Sequence, residues 1–260
     1  MGIQPVGSSK KLCICIYGDA GIGKTTFIGT GGKGTLILRP PVDHTDAITT
    51  PGVDEWVLHD WAEMAEAGDF LREGAKGYDF VWLDSISLMQ DVGLDDIWGK
   101  VVAEKPHRAK YGLDKGEYGI NMERLGQWVR AAVDAPGFNF GISALVAENR
   151  DVHGDDTAFV PFVQGKGMAA KISGYMQMVG LMRMSGKSGR RVLDFNRTPD
   201  YSAKDQHNAF KDGRLWDPTI PKLLAAVESS RKKRVSATRT ASKPRRRSTS
   251  ARRTTKKQGA

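Results

Sequence analysis

The most specific chemistry in this sequence sits in eight consecutive residues. Gly18, Asp19, Ala20, Gly21, Ile22, Gly23, Lys24 and Thr25 fit the spacing G-x-x-x-x-G-K-[ST] without a mismatch, and Thr26 follows. Glycines allow the backbone to curl until its N–H groups point inward, and the start of a helix adds its positive end. In such a cradle Lys24 brings a cation to the β- and γ-phosphates of a nucleotide, and the Thr25 hydroxyl is a magnesium ligand. The ligand this implies is ATP with Mg2+, with residues 18–26 as its binding set. The alternative is a glycine-rich turn that matches by chance. Against it stands the context: an apolar run, Leu12 to Tyr17, precedes the motif and a helix-like segment follows it.

A phosphate cradle needs an acid for its metal. Asp84 ends the apolar stretch YDFVWLD, where a parallel strand would deliver it to the same sheet edge as the glycine-rich loop. Its carboxylate can hold magnesium through water; the plainer reading is a strand-end aspartate capping the next helix. Ser85 is a lesser candidate. An attacking water also needs a base. No glutamate follows the second core strand, whose end reads LRPPVDHTDA, so Asp43 or Asp46, with His44 between them, would have to substitute. A shorter carboxylate must be repositioned, and about 1 Å of misplacement costs about a hundredfold in rate. ATP binding is therefore better supported than brisk hydrolysis.

The elements that position these residues follow from the apolar pattern. Leu12–Tyr17 reads as a buried strand, 24–29 as a short helix broken by glycines, and GTLILRPP as a second strand stopped by Pro40 and Pro41. Glu55–Asp60 is a third strand, WAEMAEAGDFLREGAKG a helix and Tyr78–Asp84 a fourth strand. Residues 88–118 are polar and carry no assigned element. INMERLGQWVRAAVDAPG, from Ile120, predicts an amphipathic helix, and FNFGISALVAE, ending at Glu148, a fifth strand. MQMVGLMRMSGKSGRRVLDFNR predicts an antiparallel hairpin turning at SGKSG, with Met176, Met178, Met182 and Met184 as packing residues. Alternation of strand and helix predicts an α/β fold: a mainly parallel sheet flanked by helices, extended by that C-terminal hairpin. Cys13 and Cys15, two apart on a strand, share one face and read as core thiols.

The charge is unevenly spread. Of 39 Lys and Arg, 13 fall in residues 231–260, which hold no Asp or Glu, leaving 26 against 30 acidic residues elsewhere. This divides the chain into a flexible N-terminus (1–9), an ATP-binding domain (10–230) and a basic, disordered tail (231–260). A flexible polycation suits a nucleic-acid backbone, which it holds without reading, since no aromatic residue in it can stack on bases. Its plainer reading is a solubility or localisation appendage. KPHRAKYGLDKGEYG places Lys, Arg and His beside Tyr111 and Tyr118, as a single-strand channel needs, or as an ordinary exposed loop would. No run of about eighteen apolar residues predicts a membrane span, and no signal core opens the chain; a cytoplasmic setting is expected.

GDAGIGKTT, YDFVWLDSIS, GISALVAEN and TPDYSAKDQ together resemble the RecA-like P-loop ATPases, and most closely the small phage-encoded members tied to single-strand annealing and recombination. The resemblance spans about residues 10–217. It implies a RecA-like fold, homo-oligomers assembling on DNA, with single strands favoured, and host cytoplasm as the setting. It also implies that Glu148 and Asn149 lie near the γ-phosphate, that the loops at 105–120 and 150–167 face DNA, and that Lys204 reaches the nucleotide of a neighbouring subunit. Without the resemblance, Glu148 reads as a strand-end cap and Lys204 as a solvated surface lysine.

Other readings remain open from the residues. One is a nucleotide-gated DNA-binding protein with little hydrolysis, which the absence of a glutamate near Asp43 favours. Another is a helicase or packaging motor, for which 260 residues leave little room for accessory domains. A small-molecule kinase is remote, because Arg183, Arg190, Arg191 and Arg197 fall in a predicted hairpin instead of a helical lid. The residues do not support GTP specificity, since AKDQ, Ala203–Gln206, lacks the Asn or Thr of a guanine-reading motif.

Overall fold

The computed structural model describes residues 11–150, 157–165, 167–186 and 188–241. The expected N-terminal segment 1–9, part of the 150–167 loop and the tail beyond Ala241 lie outside the described residues.

The sequence begins with strand β1 (Cys13–Tyr17), the glycine-rich loop and the short helix α1 (Lys24–Gly29). Strands β2 (Thr35–Arg39) and β3 (Val53–Val57) follow, then helix α2 (Trp61–Arg72), which Asp60 caps by accepting from the Glu63 N–H at 2.9 Å. After β4 (Phe80–Leu83) come α3 (Ile86–Glu104), a 3-10 turn over Pro106–Lys110 and α4 (Lys115–Asp134). The remainder is β5 (Asn139–Ala144), β6 (Val146–Arg150), β7 (Thr157–Pro161), α5 (Met168–Tyr175), β8 (Met178–Met184), β9 (Arg191–Asp194), β10 (Lys204–Asp205), β11 (Arg214–Trp216) and α6 (Ile220–Ala241).

Nine of these strands form one sheet, in the order β11-β9-β8-β1-β5-β4-β2-β3 with β10 also pairing β8, and β6 and β7 form a separate two-stranded sheet. In the larger sheet the core strands β3, β2, β4, β5, β1 and β8 run parallel, and β9, β10 and β11 extend it antiparallel. The α/β architecture and its C-terminal hairpin, β8–β9, are those expected. Alternation along β1 divides the core in two. Cys13, Cys15 and Tyr17 pack with α2, α3, α4 and α5 on one face. Leu12, Ile14 and Ile16 pack with α1 and α6 on the other. Both cysteines are free and buried on the same face, and burial pushes the Cys15 thiol up to about 12. Met176, Met178 and Met182 are core residues, whereas Met184 is exposed.

Close packing fixes the sheet centre. A Cβ on Gly141 of β5 would lie 2.3 Å from the ring of Trp82 on the neighbouring β4, so only glycine fits beside that indole. Among the described residues no helix is long and apolar enough to cross a membrane.

Four expectations require correction. The stretch from 88 onward contains α3, whose buried Ile86, Met89, Val92 and Ile97 keep helical spacing although Gln90, Gly93 and three aspartates interrupt the apolar pattern. The next helix starts at Lys115, before Ile120, because Asp114 and Glu117 form a reciprocal capping box. The fifth strand does not run on through Glu148: it ends at Ala144, and residues 146–150 pair with β7 in a separate ribbon. The boundary at residue 231 falls inside α6, where Arg231 donates to the Lys11 carbonyl at 2.9 Å and Arg234 to that of Gln206 at 2.8 Å.

Candidate functional site

The glycine-rich loop leaves the C-terminal end of β1. Gly18 donates its N–H to the Ala144 carbonyl, and a Cβ there would lie 2.4 Å from the Met182 carbonyl oxygen. Gly21 and Gly23 take positive φ, +74° and +99°, which turns the loop into the first residue of α1. Lys24 is 8% exposed, and its ammonium folds back to donate to the carbonyls of Gly18 (2.9 Å) and Asp19 (2.8 Å). Burial lowers its pKa, while Asp84, Asp43 and Asp19 oppose that shift.

Opposite the loop, Asp84 follows the end of β4 and is 4% exposed. The Thr25 hydroxyl donates to its Oδ2 at 2.8 Å, and the Ser143 hydroxyl donates to its Oδ1. Ser143 lies on β5, the strand between β1 and β4, and so bridges the two halves of the site. Burial pushes the Asp84 carboxyl up, against the two hydroxyl hydrogen bonds that favour its charged form.

Asp43 joins them. The loop after β2 is pinned by Arg39, which donates to the Asp43 carbonyl at 2.7 Å and pairs with Glu55 on β3. That places the Asp43 carboxylate on Ser85, whose N–H (2.8 Å) and hydroxyl (3.1 Å) both donate to Oδ2. His44 and Asp46 are exposed on the same loop. The structure thus gathers Lys24, Thr25, Asp84, Ser85 and Asp43 at one sheet edge.

Three expected residues stand elsewhere. Glu148 and Asn149 lie on β6, opposite Phe159 and Ala158, and both are exposed. The Lys204 ammonium caps the C-terminal end of α5, donating to the Met176 carbonyl at 2.7 Å and approaching those of Ser173 and Gly174. Two further contacts were not foreseen: Ser143, which in GISA reads as strand filler, and Arg191, whose guanidinium lies on Gly23. A Cβ on Gly23 would be 2.5 Å from the Arg191 Cζ.

The arrangement fits a nucleotide with magnesium. The loop is open to phosphate oxygens because glycine occupies its tightest points, Lys24 is the ammonium that would meet them, and Thr25 beside Asp84 is a hydroxyl–carboxylate pair suited to a hard cation.

A family model described as an AAA domain matches residues 10–207. The chain belongs to this AAA domain family. The matched span runs from the first core strand past β10, so it includes the glycine-rich loop, Asp43, Asp84, Ser143 and Arg191. No curated protein matches the chain by sequence. Among solved structures, the crystal structure of the RadB recombinase is similar to it at 14% identity, over 70% of this chain and 79% of that one, with a TM-score of 0.42.

Proposed function

We propose that this AAA domain protein is a RecA-like ATPase that binds and hydrolyses MgATP and acts on DNA, in phage recombination or single-strand annealing. The observation that carries the nucleotide half of this reading is the Thr25–Asp84 hydrogen bond at 2.8 Å beside the buried Lys24. In the reaction Lys24 exchanges the carbonyls of Gly18 and Asp19 for phosphate oxygens, which also replaces neutral acceptors by charged ones. Thr25 and Asp84 hold the metal, which when bound supplies positive charge against the β- and γ-phosphates. Ser143 keeps the Asp84 carboxylate turned to the loop. Asp43 accepts the proton of the attacking water, positioned for this by Ser85.

The DNA half rests on the resemblance of the motifs and on surface chemistry. Tyr111 and Tyr118 are 76% and 40% exposed around the basic 3-10 turn holding His107, Arg108 and Lys110. Exposed rings among cations offer bases a stacking platform and their phosphates a counter-charge. The basic residues beyond α6 would add sequence-independent hold. Assembly into homo-oligomers on single strands in the host cytoplasm completes the reading.

One observation favours a second reading, a nucleotide-gated DNA-binding protein with little turnover. Asp43 Oδ2 already accepts two hydrogen bonds from Ser85, which weakens it as a base.

The test is steady-state ATP hydrolysis with and without single-stranded DNA, by the full chain and by residues 1–241, with Lys24→Ala as the blank. Ending the shorter chain at Ala241 keeps α6, whose Leu223 and Val227 are core residues. DNA-stimulated turnover in both supports the ATPase. Absence of turnover above the blank, with salt-sensitive DNA binding lost on shortening, selects the second reading.

A further inference from the structure

We infer that Arg191 is a phosphate ligand for the nucleotide bound by its own chain, an inference that rests on the nucleotide-binding reading above. Its guanidinium is laid on the phosphate cradle: an added Cβ at Gly23 would meet Cζ at 2.5 Å, Nη2 at 2.7 Å and Nη1 at 2.9 Å. Gly23 is the residue immediately before Lys24, so two cationic side chains converge on one turn of backbone.

The surroundings leave this guanidinium without an anion. Among the described residues Arg191 makes no ion pair, and its Nε is buried without a hydrogen-bond partner. The neighbouring arginines each have a carboxylate, Arg183 and Arg214 sharing Asp194 and Arg190 taking Asp217, although the Arg183 Nε is likewise buried without a partner. Asp217 is near enough to feel Arg191, yet its carboxylate is taken by Arg190. Of the other acids at the cradle, Asp84 is engaged by Thr25 and Ser143 and Asp43 by Ser85, while Asp19 is an exposed residue of the loop itself. A half-buried arginine with no acid of its own needs an anion to offset its desolvation, and a guanidinium fork matches phosphate oxygens.

The strand that carries this side chain is also braced from behind. Arg191 opens β9, in register with Met184 of β8, and its backbone carbonyl accepts from the Asp217 N–H at 2.9 Å. Arg190, next in the chain, is tied to Asp217 and lies over the Trp216 ring. Downstream, buried Asp194 clamps Arg183 and Arg214. The arginine is therefore presented from a braced strand, whose backbone needs no further ordering when a phosphate arrives.

The experiment is equilibrium binding of MgATP and MgADP to the full chain and to its Arg191→Gln and Arg191→Lys variants, with thermal melts of each protein without nucleotide. Charge-assisted hydrogen bonds to phosphate predict about a 10- to 100-fold loss of affinity for Arg191→Gln and a smaller loss for Arg191→Lys. Neither melting temperature should fall, because no bond made by the guanidinium in the free protein is removed. Wild-type affinity in Arg191→Gln overturns the inference and leaves the nucleotide reading standing. If the wild-type chain binds neither nucleotide, both fail. If Arg191→Gln melts early, Arg191→Lys decides: weakened binding at an unchanged melting temperature upholds the role, and wild-type affinity overturns it.

Discussion

Asp43 and Ser85, 42 residues apart in sequence, meet in two hydrogen bonds of 2.8 and 3.1 Å to a single carboxylate oxygen, Oδ2. This contact brings a carboxylate of the β2 loop next to Asp84. On the proposed function Asp43 has two purposes, base and loop anchor, that substitution separates. Asp43→Asn keeps an oxygen for Ser85 and removes the base, so the melting temperature should hold while turnover falls about 100-fold or more. Asp43→Ala also leaves the buried Ser85 N–H unpaired and should cost about 1–3 kcal/mol in chemical denaturation. Undiminished turnover in Asp43→Asn would reduce Asp43 to a loop anchor.

Asp84 is buried against its own charge. A carboxyl raised in the folded state contributes stability that is present below its unfolded value, about pH 4, and is lost as pH rises through the higher folded value. Without metal, Asp84→Asn should therefore melt higher than wild type at neutral pH, with the difference shrinking toward pH 4. The same variant should lose turnover. Paired melting curves from pH 4 to 8 check this; a variant less stable than wild type at pH 7 would contradict it.

Glu55 behaves oppositely. Its hydrogen bonds from Arg39 and Thr45 lower its carboxyl to about 2. Its contribution to stability is present above its unfolded value and lost as pH falls toward 2. Because the pair is solvent-facing, the effect on stability is small. The effect on the site is larger: Glu55→Gln frees Arg39, which holds the Asp43 carbonyl, and should lower turnover several-fold while leaving nucleotide affinity unchanged. Kinetics that separate kcat from KM provide the check.

Gly23 sits at φ +99° beneath the Arg191 guanidinium. Gly23→Ala meets both a backbone region that alanine rarely adopts and a cation in the way of its methyl. It should destabilise the chain by about 1–3 kcal/mol and weaken nucleotide binding, read by melts with and without MgADP. A normal nucleotide-induced rise in melting temperature would show that the loop tolerates a side chain.

For the proposed DNA surface, Tyr111→Ala should weaken binding of a fluorescent oligothymidine by about 1–3 kcal/mol if a base stacks on the ring. Its exposure of 76% means that stability should not change. Affinity equal to wild type at low salt would remove Tyr111 from the interface.

The cradle was legible in sequence because its chemistry is local: glycine, lysine and hydroxyl act within eight residues, and Asp84 only had to follow an apolar strand. The β8–β9 hairpin was legible from alternation around SGKSG, and the shared face of Cys13 and Cys15 from their spacing of two. What escaped depends on tertiary register. Nothing in GISA distinguishes Ser143 until β5 is placed between β1 and β4. Arg191 meets Gly23 only after β8 and β9 return beside β1. The apolar run through Val146 conceals the end of β5 at Ala144. Helix α3 is hidden in the sequence because Gln90 and Gly93, both buried, break its apolar stripe. The start of α4 was written as Asp114-x-x-Glu117, a signal that the polar stretch around it obscured.

Both native thiols are sealed inside the sheet, and the acidity of the one at position 15 is suppressed. The protein is therefore by nature a single-label scaffold. A cysteine introduced on the exposed face of the β6–β7 ribbon, at Glu148, would carry a fluorophore or spin probe without any native residue having to be removed first. Such a probe would report on the surroundings of that ribbon with and without nucleotide while the core stays unaltered.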